Sequence, residues 1–372
     1  MNNLFYVVAL SIFALMHLGI YILFFKRWIQ RRWVRGILGA WILVNFCGVL
    51  VYFAGRYEFA LPQAVYFWAS ISIGVCFALF VVMVLYRALL GLSFFSLKRR
   101  KTLQDGAGLF CGVLSGAYLG WGMIEGGMKP KIERVDLVLK GLQHPFSAVQ
   151  ISDLHIGGLI GKMEVEEIVR SVMELRASVI FLTGDIIDTR VAYLQESLSA
   201  LGKLNAPLGV YYVLGNHEFF HGVYEVIDAV EKLGFYVLKN ENIVLKKDGK
   251  NFVNLAGVND LFGRRFGDLQ PDLAQALSKR DEHLPTILLA HQPKFAREIG
   301  EDDGIDLILS GHTHGGQIFP FGIFVRLDQP YLAGLYQHTT TTQIYVNRGS
   351  GFWGPPMRVG SRAEITYFEF RG

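Results

Sequence analysis

Five short segments of this 372-residue chain carry side chains suited to metal chemistry. They are Asp153-Leu154-His155, Gly184-Asp185-Ile186-Ile187-Asp188, Gly215-Asn216-His217-Glu218, Ala290-His291-Gln292-Pro293 and Gly311-His312-Thr313-His314-Gly315-Gly316. Five of the ten histidines fall in them. Singly, an Asp or Asn just after a strand is a helix cap or turn residue. Together the segments offer carboxylate, imidazole and amide oxygen, a donor set suited to Mn, Fe or Zn. All three cysteines (Cys47, Cys76, Cys111) lie far upstream, so a thiolate-closed structural zinc site and a disulfide framework are both excluded here. In Asp153-x-His155, alternate residues of an extended segment project to one side and reach one ion, and His312-x-His314 does the same unless a turn redirects it. Seven candidate ligands exceed what one tetrahedral ion needs. Two ions about 3.5–4 Å apart, bridged by one carboxylate, would use them all and would clamp a phosphoryl group while activating water.

The elements that must position these segments follow from apolar patterning. Strands are expected at Val135–Leu139, Phe146–Ser152, Val179–Thr183, Val210–Leu214, Thr286–Ala290, Ile305–Ser310, Gln343–Asn347 and Glu364–Phe370. Several are continuous apolar runs, the pattern of strands buried on both faces. Met163, Val165, Ile168, Val169, Val172 and Leu175 recur at helical spacing, and helices are expected around Gln195–Leu204 and Val223–Leu233. The alternation implies an α/β domain with a central buried sheet flanked by helices. The reactive segments directly follow strands, where open α/β sheets place their ligands.

The first third has another character. Apolar residues make up 52% of the chain and charged residues 18%, with mean hydropathy +0.33. That is too apolar for an ordinary soluble enzyme and excludes disordered and collagen-like classes. Four apolar runs, Leu4–Phe25, Ile37–Gly55, Ala64–Leu92 and Ala107–Ile124, approach or exceed the ~20 residues that cross a bilayer. Trp28, Trp33, Tyr57 and Tyr66 flank them as interfacial belts. A cleavable signal peptide fits the first run poorly, because no basic residue precedes it. His17 within that run is expected to be a hydrogen-bonded packing residue rather than a proton relay.

Residues 1–124 hold 11 Lys and Arg against 2 acidic residues, a net of +9, and the rest of the chain is −5. The basic balance therefore belongs to the apolar third and gives no support for nucleic-acid binding. Lys26, Arg27, Arg31, Arg32 and Arg35 follow the first run, and Arg87 near the end of the third run is joined by Lys98, Arg99, Arg100 and Lys101 after it. Only Arg56 stands between the second and third. The positive-inside rule puts both rich loops in the cytoplasm and everything after Glu125 outside. The expected organisation is a four-helix transmembrane region over 1–127 and an α/β domain over 128–372, in a multi-pass inner membrane with the second domain extracytoplasmic.

Taken in order, Asp-x-His, Gly-Asp-x-x-Asp, Gly-Asn-His-Glu, His and Gly-His-x-His resemble the calcineurin-like metallophosphoesterase superfamily over about Val135–Gly372. Gly315-Gly316 together with Asn347-Arg348-Gly349 and Gly354-Pro355-Pro356-Met357-Arg358 is similar to the membrane-attached bacterial branch, which includes phosphodiesterases and the type that cleaves UDP-2,3-diacylglucosamine. The resemblance implies a four-layer α/β/β/α sandwich. It also implies that Asp153, His155 and His314 hold one divalent ion, that Asn216, His291 and His312 hold a second, and that Asp185 bridges them. His217 would face the phosphate and protonate the leaving oxygen, with Asp188 orienting it and raising its pKa, while a metal-bound hydroxide attacks phosphorus in line.

Three further residues are candidates for substrate contact. Arg264 and Arg265 lie in a loop and suit an anionic headgroup, although a solvated basic loop is equally expected. His221 is weighed against a solvated helix-start histidine, which is the stronger expectation. Phe319, Phe321, Phe324 and Trp353 read as core residues first and as an apolar wall or membrane-facing rim second. The resulting expectation is a membrane-anchored dimetal phosphohydrolase of the phosphodiesterase type, cleaving phosphoester or pyrophosphate bonds, with a lipid-linked or envelope substrate favoured. A UDP-2,3-diacylglucosamine-type pyrophosphatase and a non-catalytic metal-binding membrane sensor or scaffold are the alternatives. No protein partner is deducible from the sequence.

Overall fold

The computed structural model describes residues 3–55, 61–91, 97–267 and 269–372. Arg56, Tyr57, Leu92 and the side chains of Lys98, Arg99 and Arg100 lie outside the described residues. The chain divides into two compact units: Met1–Gly127 with Gly354–Val359, and Met128–Trp353 with Gly360–Gly372.

The first unit is helical. Helix α1 (Asn3–Gly19) passes through a π-helical segment (Ile20–Phe25) into α2 (Lys26–Trp28), followed by α3 (Arg32–Gly55), α4 (Gln63–Gly91) and α5 (Leu97–Gly126). Among the described residues, four stretches are apolar and long enough to cross a bilayer, at 23, 24, 29 and 26 residues. Small residues set the close approaches. A Cβ on Gly48 would sit 2.2 Å from Ser72 Oγ, and one on Gly108 would sit 2.0 Å from the Trp28 ring. Leu15, Leu43, Leu109 and Val113 stay exposed, as lipid-facing positions require. His17 is buried, with Nδ1 2.7 Å from the Phe13 carbonyl oxygen and Nε2 2.9 Å from Asn45 Oδ1, the packing role expected. Segment Gly354–Val359 packs among these helices. The Arg358 amide donates to the Gly122 carbonyl at 2.9 Å, Met357 lies against Gly74 and Gly122, and the Arg358 side chain is fully buried.

The second unit holds two six-stranded sheets. Its elements run β1 (Lys131–Val138), β2 (Phe146–Ile151), α6 (Lys162–Glu174), β3 (Val179–Thr183), α7 (Gln195–Leu201), β4 (Val210–Val213), α8 (Asn216–Phe220), α9 (Val223–Lys232) and β5 (Tyr236–Val237). They continue with β6 (Glu241–Lys247), β7 (Lys250–Gly257), α10 (Leu273–Leu277), β8 (Thr286–Leu289), β9 (Leu307–Ser310), α11 (Gly322–Asp328), β10 (Gly334–Gln337), β11 (Gln343–Val346) and β12 (Glu364–Arg371). The first sheet has the order β1-β12-β2-β3-β4-β5, with β2 to β5 parallel, and the second has the order β10-β11-β9-β8-β7-β6, with β7, β8, β9 and β11 parallel.

Alternation along the strands builds three cores and therefore four layers. On β2 and β3, Phe146, Ala148, Val179 and Phe181 turn toward the second sheet, where they meet Phe252, Leu255, Ile287 and Leu309. Val149, Ile151, Ile180 and Leu182 turn the other way, under Val165, Ile168 and Val172 of α6 and Leu198 of α7. Leu288 and Ile308 form the third core with Phe295 and Ala296. Continuous apolar runs are thus explained by burial on both faces. The single central sheet expected from patterning is instead a pair. Strands β5, β6, β7 and β10 went unread in the sequence because they are short or carry charges, as in Lys246-Lys247-Asp248-Gly249-Lys250.

Candidate metal centre

All reactive side chains lie beyond the C-terminal ends of parallel strands: Asp153 and His155 after β2, Asp185 and Asp188 after β3, Asn216 and His217 after β4, His291 after β8, and His312 and His314 after β9. The two sheets bring these ends together. Backbone bonds stitch the loops, with the Asp153 amide donating to Gly184 O (3.0 Å), His155 to Asp185 O (3.0 Å) and Asp188 to Ile156 O (2.9 Å). The Asp153 carboxylate accepts from the His312 amide at 2.9 Å, which ties the β9 loop to the β2 loop. Asp185 Oδ1 accepts from the His217 amide at 2.8 Å.

The expectation that Asp153-x-His155 and His312-x-His314 are extended segments is not met. Asp153, His155, Asp185, His312 and His314 all have φ between 50° and 67°, in the left-handed region. Non-glycine residues held there cost of order 1–3 kcal/mol each and cluster at functional sites. These ligands converge through local twists, not strand alternation.

Sequence reasoning gave Glu218 no role, yet it holds one of these twists. Its buried carboxylate accepts backbone N–H bonds from Asp185 (3.1 Å) and Gly215 (2.8 Å) on Oε2, and from Ile186 (2.8 Å) and Ile187 (3.3 Å) on Oε1. Its position, three residues after the N-cap Gly215 of α8, is the capping-box position, a signal present in the sequence.

Among the described residues, four groups of three side chains could hold a metal ion, two of them being His155 with Asp185 and His217, and Asp188 with His217 and His221. Asp153, His155 and His314 offer ligand atoms within 4.8 Å of one another, and so do Asp185, His291 and His312. His155 Nε2 and His314 Nε2 face each other at 3.0 Å, and His314 Nε2 lies 3.5 Å from Asp153 Oδ1. His291 Nδ1 donates to Thr183 O at 2.7 Å, which fixes its tautomer and aims Nε2 toward Asp185 Oδ2, 3.1 Å away. Asn216 Oδ1 is buried without a hydrogen-bond partner, and so are His155 Nδ1 and His291 Nε2. Buried polar atoms are normally satisfied, so the unpartnered Asn216 oxygen and His291 nitrogen fit ligands to a cation in their chemistry, whereas His155 Nδ1 faces Asp188 Oδ2 at 3.6 Å.

The charges agree. Burial opposes charge on Asp185, but His291 and His217 outweigh it and hold the carboxyl well below the usual range. Partial burial and the charge of His291 push His312 down to about 3, leaving it a neutral imidazole ready to ligate. His217 donates from Nδ1 to Asp188 Oδ1 at 2.7 Å, and its Nε2 stands 3.9 Å from Asp185 Oδ2. Its pKa was expected to be raised by Asp188. Asp185 and Asp188 do pull it up, but burial is the larger effect and the net shift is downward.

His221 also departs from expectation. It is buried at the C-cap of α8, not solvated at a helix start, and its Nε2 reaches Asp188 Oδ1 at 3.2 Å. Arg264 is paired with Glu298 through two contacts of 2.7 Å, and the Arg265 guanidinium lies 4.6 Å over the Phe262 ring. The structure thus gives both arginines local partners rather than bringing them into the ligand cluster. Phe319, Phe321, Phe324 and Trp353 are exposed, against the expectation of core packing, and the Trp353 ring lies 6.3 Å from that of His217.

Comparison with known proteins gives the family. Residues 146–316 match the family model described as calcineurin-like phosphoesterase. An uncharacterized metallophosphoesterase of Helicobacter pylori is 38% identical over 78% of this chain and 79% of its own. A transmembrane protein with metallophosphoesterase domain from Bos taurus is 37% identical over 66% of this chain and 58% of its own. The crystal structure of a dimetal phosphatase from Danio rerio aligns over 60% of this chain and 98% of its own, at 12% identity and TM-score 0.36. With the ligands gathered at the strand ends and relatives alike over most of their length, the chain belongs to the calcineurin-like metallophosphoesterases, hydrolases of phosphoesters.

Proposed function

We propose that the chain is a membrane-anchored dimetal phosphohydrolase of the phosphodiesterase type. The observation that carries this reading is Asp185: its carboxylate belongs to the His291/His312 ligand group and also lies 4.0 Å from His155 Nε2 in the other. In this reading Asp153, His155 and His314 hold one ion, Asn216, His291 and His312 hold the other, and Asp185 is shared. The ions would supply Lewis acidity and an activated water for attack on phosphorus. His217 supplies the proton that the leaving oxygen needs, from the ring nitrogen turned away from Asp188. Asp188 fixes that ring by accepting from Nδ1, and His221 Nε2 reaches the same Asp188 oxygen.

The membrane reading rests on four apolar helices and on the basic loops, which favour an extracytoplasmic site in an inner membrane. A phosphodiester or pyrophosphate carried by a lipid or by the cell envelope is the substrate class that such tethering suits. The test is turnover of bilayer-presented and soluble diesters by the detergent-purified chain, with Mn, Fe(II) and Zn supplied separately, beside Asp185→Asn and His217→Ala. Metal-dependent hydrolysis lost in both variants and favouring the bilayer substrate supports the reading. Equal rates on both substrates refute its lipid part. A reporter fused after Gly372 reads the side of the membrane, and a cytoplasmic reporter would overturn the orientation.

A further inference from the structure

Phe319, Phe321, Ile323, Phe324, Leu327 and Trp353 leave 65, 41, 60, 57, 80 and 42% of their surface exposed. Elsewhere in the second unit large apolar side chains are exposed singly, which is ordinary for a folded surface. Here five lie within nine consecutive residues, on and just before α11, with Arg326 exposed among them. A short element carrying Phe and Leu beside one Arg has the composition of a segment that rests in the headgroup region of a bilayer.

Chain continuity bears on what could cover this patch. Gln317, two residues before Phe319, exchanges both of its amide hydrogen bonds with the Trp353 backbone, at 2.9 Å each. Phe319 also lies beside Gly360, 3.9 Å from where a Cβ there would stand. Between Trp353 and Gly360 run the six residues Gly354–Val359, which pack with the apolar helices of the first unit. Within the second unit, Trp353 and Phe319 of the patch therefore lie at the two points where the chain leaves for and returns from that segment. The patch is also built on the metal-centre loop. Gly316, at φ 80°, lets Gly322 approach so closely that a Cβ would meet its Cα at 2.4 Å, so α11 is pinned to the turn bearing His314.

We propose that α11 and its flanking phenylalanines form a lipid-contacting rim that inserts into the leaflet holding the chain's own spans. The partner is the acyl and glycerol region of a phospholipid bilayer. The rim sets the metal centre at headgroup depth, so it selects substrates whose phosphorus sits at the membrane surface. This deepens the membrane-anchored reading above and rests on it.

The test uses the full chain in phosphatidylcholine vesicles, with Cys47, the one exposed cysteine among the described residues, replaced by Ser. An environment-sensitive fluorophore is placed at Leu327→Cys or at Phe324→Cys. References are Val113→Cys on α5 and Lys250→Cys at the start of β7, the end of the second sheet away from the ligands. Lipids brominated on the acyl chain are the quenchers. The expected result is quenching at 324 and 327 comparable to that at 113, with none at 250. Quenching at 113 but not at 324 or 327 overturns the rim while leaving the anchor intact. Absence of quenching at 113 overturns the anchored reading and the rim with it. Protection of 327 from both brominated lipid and soluble iodide would mean that protein covers the patch, and this too overturns the proposal.

Discussion

Replacing Glu218 by Gln should disturb the metal centre more than any comparably small change that leaves the ligands untouched. The carboxylate satisfies four backbone N–H groups, two on each oxygen. An amide of the same shape keeps one accepting oxygen and turns an N–H₂ toward the other pair, whichever way it is flipped. Two buried donors are then stranded, at about 1–3 kcal/mol each, so the expected loss is about 2–6 kcal/mol. A domain of this size loses roughly 2–4 °C of Tm per kcal/mol, which gives a drop of roughly 5–20 °C. Three of the donors belong to Asp185, Ile186 and Ile187, so the left-handed turn that aims the Asp185 carboxylate loosens as well. Calorimetry of the purified chain should show the Tm drop, and titration with Mn should show weaker binding. A Gln variant melting within about 2 °C of the parent and binding metal as tightly would refute the reasoning.

Asn216→Ala removes a buried amide oxygen that has no protein partner, so metal content should fall from about two ions per chain toward one while the fold survives, as read by mass spectrometry of the metal. His217→Ala should lower kcat roughly 10²–10⁴-fold with metal content unchanged, the range for losing a positioned proton donor. His221→Ala removes one 3.2 Å contact to Asp188 and should cost about tenfold or less in kcat, or about 1.4 kcal/mol. Gly215→Ala would place a Cβ 2.2 Å from Asp185 Oδ1 and 2.4 Å from the Asp185 amide nitrogen. That clash cannot be relieved by a side-chain rotation, so a melt should show at least the ~1–3 kcal/mol of overpacking, with Asp185 displaced and metal affinity reduced.

Much of this was legible because burial and chemistry wrote themselves into the same places. Val179–Thr183 is a strand with the bounds read from its apolar run, and Gly184-Asp185 follows it directly. What failed was geometry set by distant partners. Nothing in Asp-x-His announces a left-handed backbone, because the bonds that hold it come from Gly184 and Asp185, some thirty residues on. Burial of His221 depends on Asp188, and the exposure of Phe319 and Phe324 reverses the usual fate of phenylalanine, which sequence alone assigns to cores. The second sheet is only partly legible because the edge strand β6 and the start of β7 expose lysines, although the Asp248-Gly249 turn between them is a hairpin signal.

The central claim is that the converging ligands form a two-ion hydrolytic centre. Its most direct test is metal counting on the purified chain, coupled to hydrolysis of bis-p-nitrophenyl phosphate before chelation, after chelation and after metal is restored, with Asp185→Asn beside the parent. The account predicts about two ions per chain, turnover that vanishes and returns with them, and neither in the variant. Turnover indifferent to chelation, or full turnover by Asp185→Asn, would contradict it.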